Sequence, residues 1–176
     1  MLKDAKTEKE LQAIFDEILL QTDRGAAIIS ASILEEHLTD VLRKRLILTS
    51  RLSERLFNFD KNGPLSDFAQ KIDIGFAVGI ISSELRDDLH NIRRVRNAFA
   101  HHVEPLNFAH ESISGFCSAL RGDSKNPKFK FLHSVTGITM LLMALKEMEI
   151  KIKPMKDDAS FDAEFNKVIE GLLPDT

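Results

Sequence analysis

The chain has 176 residues, 43% of them hydrophobic and 29% charged, with a formal net charge of −3 at pH 7. This length is sufficient to bury a core without covalent cross-links, and the composition is that of an ordinary globular protein. The acidic balance disfavours a surface that is basic overall, which a self-sufficient DNA-binding protein normally presents. The single cysteine, Cys117, excludes an internal disulfide and indicates a reducing compartment.

The N-terminal stretch and the apolar runs predict a cytoplasmic protein. The first ten residues, "MLKDAKTEKE", lack the apolar core of a signal peptide. The longest apolar run, 135–145, is shorter than the ~20 residues that a membrane-spanning helix needs. We therefore expect a cytoplasmic location and no membrane association.

Apolar residues recur at helical spacing along the chain, and no segment shows the sustained alternation of a strand. In chain order, the spacing and the capping residues predict helices over 7–20, 24–48, 53–57, 64–76, 83–101, 108–120, 129–150 and 161–172. A "TEKE" capping box at Thr7 is expected to begin the first helix. The middle of helix 129–150, "ITMLLMAL", is apolar nearly all round, which predicts a central position. The sequence predicts one all-α domain over 1–176, a bundle of seven to eight helices.

The stretch "LHNIRRVRNAFAHH", 89–102, concentrates three arginines and three histidines in one predicted helix. At ~100° per residue its large apolar residues share one face, and Arg96 falls near the centre of that face. Arg93, Asn97 and His101 form a separate polar stripe at the edge. Arg96 is therefore the residue that needs an explanation.

A guanidinium on a core face is unfavourable unless it is paired and hydrogen-bonded. Two interpretations stay open. Arg96, with Arg93 beside it, belongs to a structural ion pair that ties helices together, with Glu35 as the first predicted partner and Asp23 as the second. Alternatively, these arginines face a cavity that admits phosphate or another anion.

No metal site and no cofactor are predicted. His101, His102 and His110 follow no ligand spacing of the HExxH type, and no carboxylates cluster with them. Cys117 stands among apolar neighbours in "ISGFCSAL", which indicates a buried and inert thiol.

Three stretches resemble the mannitol operon repressor family of bacterial regulators in their order and spacing. They are "DRGAAIISASILEEHLTDVLRKRL", "GPLSDFAQKIDIGFAVGIIS" and "LHNIRRVRNAFAHH", and the resemblance covers about 23–120. It implies an all-helical domain that represses a sugar-alcohol utilisation operon. Since the family lacks an evident DNA-binding motif, it also implies action through a partner protein.

A narrower pattern, Arg96-Asn97, three residues and His101, resembles the signature of the HEPN superfamily of helical proteins, which includes metal-independent ribonucleases. The resemblance implies that Arg96 steadies the phosphate, Asn97 orients it and His101 transfers the proton. Arginine matches a phosphate in a bidentate fork and histidine titrates near neutrality, so this chemistry is physically reasonable.

Arg96 and His101 point ~140° apart on a regular helix. They can converge only if the helix unwinds near Ala100 or if two copies pair around a shared cleft. The alternative function is therefore a HEPN-like ribonuclease or an inactive RNA-binding relative, and a homodimer is an open alternative.

Direct DNA binding is doubtful on the sequence. The one stretch of helix-turn-helix length would present six residues to the groove, and three of them, Glu84, Asp87 and Asp88, are carboxylates that phosphate repels. We therefore expect a regulator with a protein partner, and an enzyme only if the ribonuclease alternative holds.

Overall fold

A computed structural model describes residues 5–148 and Ile152, with side chains from residue 13 onward. Over these residues the chain forms seven α-helices and no strand, which confirms the predicted all-α class. The helices are α1 (Ala5–Leu20), α2 (Asp23–Arg45), α3 (Ser50–Phe57), α4 (Phe68–Ala77), α5 (Ser83–His101), α6 (Glu111–Ala119) and α7 (Pro127–Glu147). The predicted helix over 161–172 lies outside the described residues.

Two long helices, α2 and α5, organise the bundle. α2 packs against α1, α4, α5 and α7, and α5 also packs against α4, α6 and α7. The predicted core stripe of α2 is buried throughout: Ala27, Ala31, Leu34, Leu38, Val41 and Leu42. These side chains join those of the other helices in one hydrophobic cluster.

α5 begins and ends where the sequence predicts. The Ser82 side chain accepts a hydrogen bond from the Leu85 amide and so caps the helix, which continues to His101. The five predicted core residues are buried: Leu85, Leu89, Ile92, Val95 and Phe99.

Several predicted helix boundaries are wrong. α4 begins at Phe68 rather than at residue 64 or 65, because the preceding segment packs on the end of α3. There the Leu65 amide donates to the Leu56 carbonyl, and a Cβ at Gly63 would lie 2.5 Å from that same oxygen. α2 ends at Arg45 rather than near residue 48, with Leu46 already extended.

Other helices start earlier or later than predicted. α1 begins at Ala5, so Thr7 lies inside the helix and does not cap it. α3 begins at Ser50 behind the cap Thr49, and α7 begins at Pro127. α6 begins only at Glu111, since Phe108 is instead buried between the rings of Phe99 and Phe131, with centroid distances of 5.0 and 5.2 Å.

α7 has one outer face, although its apolar middle predicted a central position. It packs against α2, α5 and α6, but Met140 and Leu141 remain 39% and 43% exposed. None of the helices in the described part of the chain has both the length and the apolar content of a membrane span.

Candidate functional site

Arg96 was predicted to lie near the centre of the buried face of α5. It lies instead at the edge of that face. Its side chain is 29% exposed. The buried face turns along the helix, from Leu85 and Leu89 in the first half to Val95 and Phe99 in the second. Arg96 is ~80° from the centre of the latter pair, so its guanidinium emerges beside the core.

Glu35, the first predicted partner, is the carboxylate that faces Arg96. Its Oε2 lies 3.6 Å from Arg96 Nη2, and its Oε1 accepts a hydrogen bond from Lys71 Nζ at 2.7 Å. The Lys71 side chain is only 9% exposed. One carboxylate on α2 thus joins cations from α4 and α5. Because Lys71 is closer and more buried, it is the principal partner of Glu35.

Asp23, the second predicted partner, pairs elsewhere. Its Oδ1 lies 2.9 Å from Lys128 Nζ, and its Oδ2 accepts a hydrogen bond from the Phe108 amide at 3.1 Å. The adjacent Arg24 donates to the backbone carbonyls of His102 and Glu104. These contacts tie the start of α2 to α7 and to the segment after α5, so the Asp23 pair is structural.

The three residues of the HEPN-like pattern do not meet within one chain. α5 is unbroken through His101, so the helix does not unwind near Ala100, which was one of the two conditions for convergence. Asn97 is half-buried and His101 is exposed, ~140° around the helix from Arg96. Convergence through a second copy stays a prediction.

A polar cleft of about 450 Å³ opens between α4 and α5, and sequence analysis missed it. It is lined by Asp73, Arg86, Asp87, His90, Asn91, Arg93 and Arg94. The wall that α5 contributes could have been predicted from the sequence, because residues 86, 90, 93 and 94 repeat at the three- and four-residue spacing of one helix face. The contribution of Asp73 from α4 was not predictable from that spacing.

Asp73 organises one wall of this cleft. Its Oδ1 receives hydrogen bonds from Arg86 Nε at 3.0 Å and from His90 Nε2 at 3.1 Å. Hydrogen bonds from His90 and Arg86 hold the pKa of the Asp73 carboxyl below its ordinary value. This carboxylate therefore stays charged and accepts hydrogen bonds from two of the side chains that line the cleft.

Arg93 and Arg94 have no such partner. Neither guanidinium lies within ion-pair distance of a carboxylate of the described residues. The Nε of Arg93 is shielded from solvent without a hydrogen-bond acceptor in that same part of the chain. Within the described part of the chain, Arg94 donates one hydrogen bond, to the Asn91 side chain at 3.0 Å, and lies 5.7 Å from the ring centroid of Phe116.

Two further buried charges were not predicted. Asp88, one of the three carboxylates that argue against a DNA-reading helix, is 4% exposed and forms a salt bridge with Arg121. Arg45 is 6% exposed, and its Nη2 donates to the Leu145 carbonyl at 2.7 Å. Asp88 thus links α5 to the segment between α6 and α7, and Arg45 links α2 to α7.

No group of three or more metal-ligating side chains occurs within the described ranges, 5–148 and Ile152. The histidines His102 and His110 contact each other ring to ring, at 6.1 Å between centroids. Burial raises the pKa of the Cys117 thiol to about 12, so it is protonated at neutral pH and is a poor nucleophile.

Comparison with known proteins gives no match to a family model, to a curated protein or to a solved structure. The resemblances to the mannitol operon repressor family and to the HEPN pattern therefore stay predictions from the quoted stretches of sequence.

Proposed function

We propose that the chain is a bacterial transcriptional regulator of the mannitol operon repressor type. In this proposal it represses a sugar-alcohol utilisation operon and acts through a partner protein rather than through a DNA-reading helix of its own. Its cytoplasmic location belongs to the same proposal. The support for the family comes from the three stretches between residues 23 and 120.

The exposed acidic residues at the start of α5 are the main support for the proposed protein partner. Glu84 and Asp87 are exposed in its first two turns, and Arg86, beside them, is bound to Asp73. Hydrogen bonds from its own backbone amide and from Ser82 and Ser83 hold the pKa of Glu84 below its ordinary value, so it is ionised. A helix that begins with two exposed carboxylates is repelled by the phosphates beside a major groove.

Deletion of the gene tests this function. We expect the transcripts of one sugar-alcohol transport and dehydrogenase operon to rise in the absence of the sugar alcohol, and the wild-type chain to restore repression. A Glu84→Ala variant is the matched control. It should repress as the wild type does, because this side chain does not read DNA in the proposed mechanism. Unchanged transcripts in the deletion strain would contradict the proposal.

The HEPN-like ribonuclease stays the alternative, and the exposure of His101 is the geometric feature in its favour. Mapping RNA 5′ ends in the same deletion strain separates the two functions. A regulator changes the amount of one transcript, whereas loss of a ribonuclease removes defined cleavage ends from many.

A further inference from the structure

The α4–α5 cleft has an excess of positive charge. Three arginines, Arg86, Arg93 and Arg94, stand against the two carboxylates of Asp73 and Asp87, which leaves one positive charge when His90 is neutral and two when it is protonated. Since the whole chain carries −3, the cleft is a local exception to an acidic molecule.

The excess charge is concentrated at one end of the cleft. Asp73 accepts hydrogen bonds from Arg86 and His90, whereas Arg93 and Arg94 form no ion pair with a carboxylate of the described residues. A buried guanidinium nitrogen without an acceptor, such as Arg93 Nε, is unfavourable and unusual in native proteins. An anion bound at this end would supply acceptors to the terminal nitrogens of both guanidinium groups.

We propose that the cleft binds the phosphate group of a small organic phosphate, with Arg93 and Arg94 as its principal ligands. Guanidinium groups match the oxygens of phosphate with parallel hydrogen bonds, and the excess positive charge of the cleft favours an anion. The volume of about 450 Å³ leaves room for an organic moiety beside the phosphate. The binding site is independent of the proposed function.

A single phosphate group fits this site better than a nucleic-acid strand. A strand needs a continuous basic track, because its affinity comes from many phosphate contacts. Here the cleft itself contains Asp73 and Asp87, and Glu84 is exposed near the start of the same helix. These carboxylates would repel the neighbouring phosphates of a strand, whereas an isolated phosphate avoids them.

The test is a titration of the full chain with inorganic phosphate and with glycerol 3-phosphate at constant ionic strength, followed by NMR of the arginine Nε–H groups. We expect saturable shifts of Arg93 and Arg94, with tighter binding of glycerol 3-phosphate. Arg94→Gln should weaken binding about 10-fold, as expected for one charge-assisted hydrogen-bonding group. Asp73→Asn should strengthen binding, because it releases Arg86 and His90.

Arg51→Gln is the matched control, since Arg51 is an exposed arginine on α3, outside the cleft. It should leave both affinities unchanged. Arg94 is exposed, so its replacement tests the site even if an Arg93→Gln variant does not fold. Shifts that do not saturate, or that are equal in Arg94→Gln and wild type, would overturn the proposal. So would a short single-stranded RNA that binds at these arginines and is not displaced by glycerol 3-phosphate.

Discussion

Glu35 is the residue on which three helices depend. It holds Lys71 at 2.7 Å and faces Arg96 at 3.6 Å, and the Lys71 side chain is 9% exposed against 29% for Arg96. Removal of the shared carboxylate leaves a buried ammonium group unpaired, whereas removal of Arg96 leaves the Lys71–Glu35 pair intact. The two cations therefore differ in energetic importance, although sequence alone drew attention only to the arginine.

We expect Glu35→Ala to lower the free energy of unfolding by about 3 kcal/mol, as the loss of one partner of a buried pair does. Arg96→Ala should cost only ~1 kcal/mol, since its contact is longer and partly solvated. Urea unfolding measures both. Glu36→Ala, an exposed neighbour on α2, is the control and should stay within ~0.5 kcal/mol of wild type. An Arg96→Ala variant less stable than Glu35→Ala would show that Arg96 is the principal partner.

His101 gives the second test at the residue scale. In a regulator that does not cleave RNA, incubation of the purified chain with RNA and EDTA should give no cleavage above that of a His101→Ala variant. The reason is that the unbroken α5 directs Arg96 and His101 apart and Arg96 faces Glu35. Metal-independent cleavage that disappears in His101→Ala would establish the ribonuclease alternative.

At the scale of the helices, His37 makes the packing of α1, α2 and α7 depend on pH. It lines a small cavity of about 50 Å³ between α1, α2 and α7, where Phe15 and Ile18 are among its neighbours. Burial lowers the pKa of His37, and this outweighs the opposing charges of Asp40 and Glu36. Lys146, which pairs with Asp40, acts in the same direction as burial.

A lowered pKa in the folded state means that the unfolded chain binds the proton more readily. The contribution of His37 to stability is therefore fully present above its unfolded pKa of ~6.5 and is lost as pH falls through the folded pKa. We expect the free energy of unfolding to fall from pH ~7.5 to ~5, and to fall less in His37→Gln. Urea unfolding at both pH values measures the difference. An equal pH dependence in wild type and variant would contradict the burial of a neutral His37.

The course of the helices shows how far sequence determines this fold. α5 was predicted at both ends because its signals are local: Ser82 caps it, and its apolar residues repeat at helical spacing. The end of α2 was missed because its cause is distant. Arg45 turns inward to the Leu145 carbonyl, and its own carbonyl accepts from the Ile152 amide. Periodicity carries no information on such contacts.

The same distinction applies to the candidate site. The contact between Glu35 and Arg96 was anticipated, because a guanidinium beside a core face requires an anion. The contact between Lys71 and Glu35 was not anticipated, because no feature of the sequence distinguishes a lysine whose ammonium group is buried from one whose ammonium group is solvated. The α4–α5 cleft likewise depends on Asp73, which only the packing of α4 against α5 brings to His90.

At the scale of the whole molecule, charge governs what the chain can contact. The net charge is −3, and the exposed carboxylates of Glu84 and Asp87 lie at the start of α5, in the segment whose length would suit a helix-turn-helix. Nonspecific attraction to DNA depends on neutralising several phosphates and weakens steeply with salt. Under the proposed function, the chain therefore reaches its promoter through a partner that supplies the basic surface.

The most direct measurement of this claim is a footprint of the purified full chain on the promoter whose transcript rises in the deletion strain, at ~150 mM salt. We predict no protected region with the chain alone, and protection only when the partner protein is present. A defined footprint produced by the chain alone would contradict the partner requirement and would show that a DNA-reading surface exists outside the start of α5.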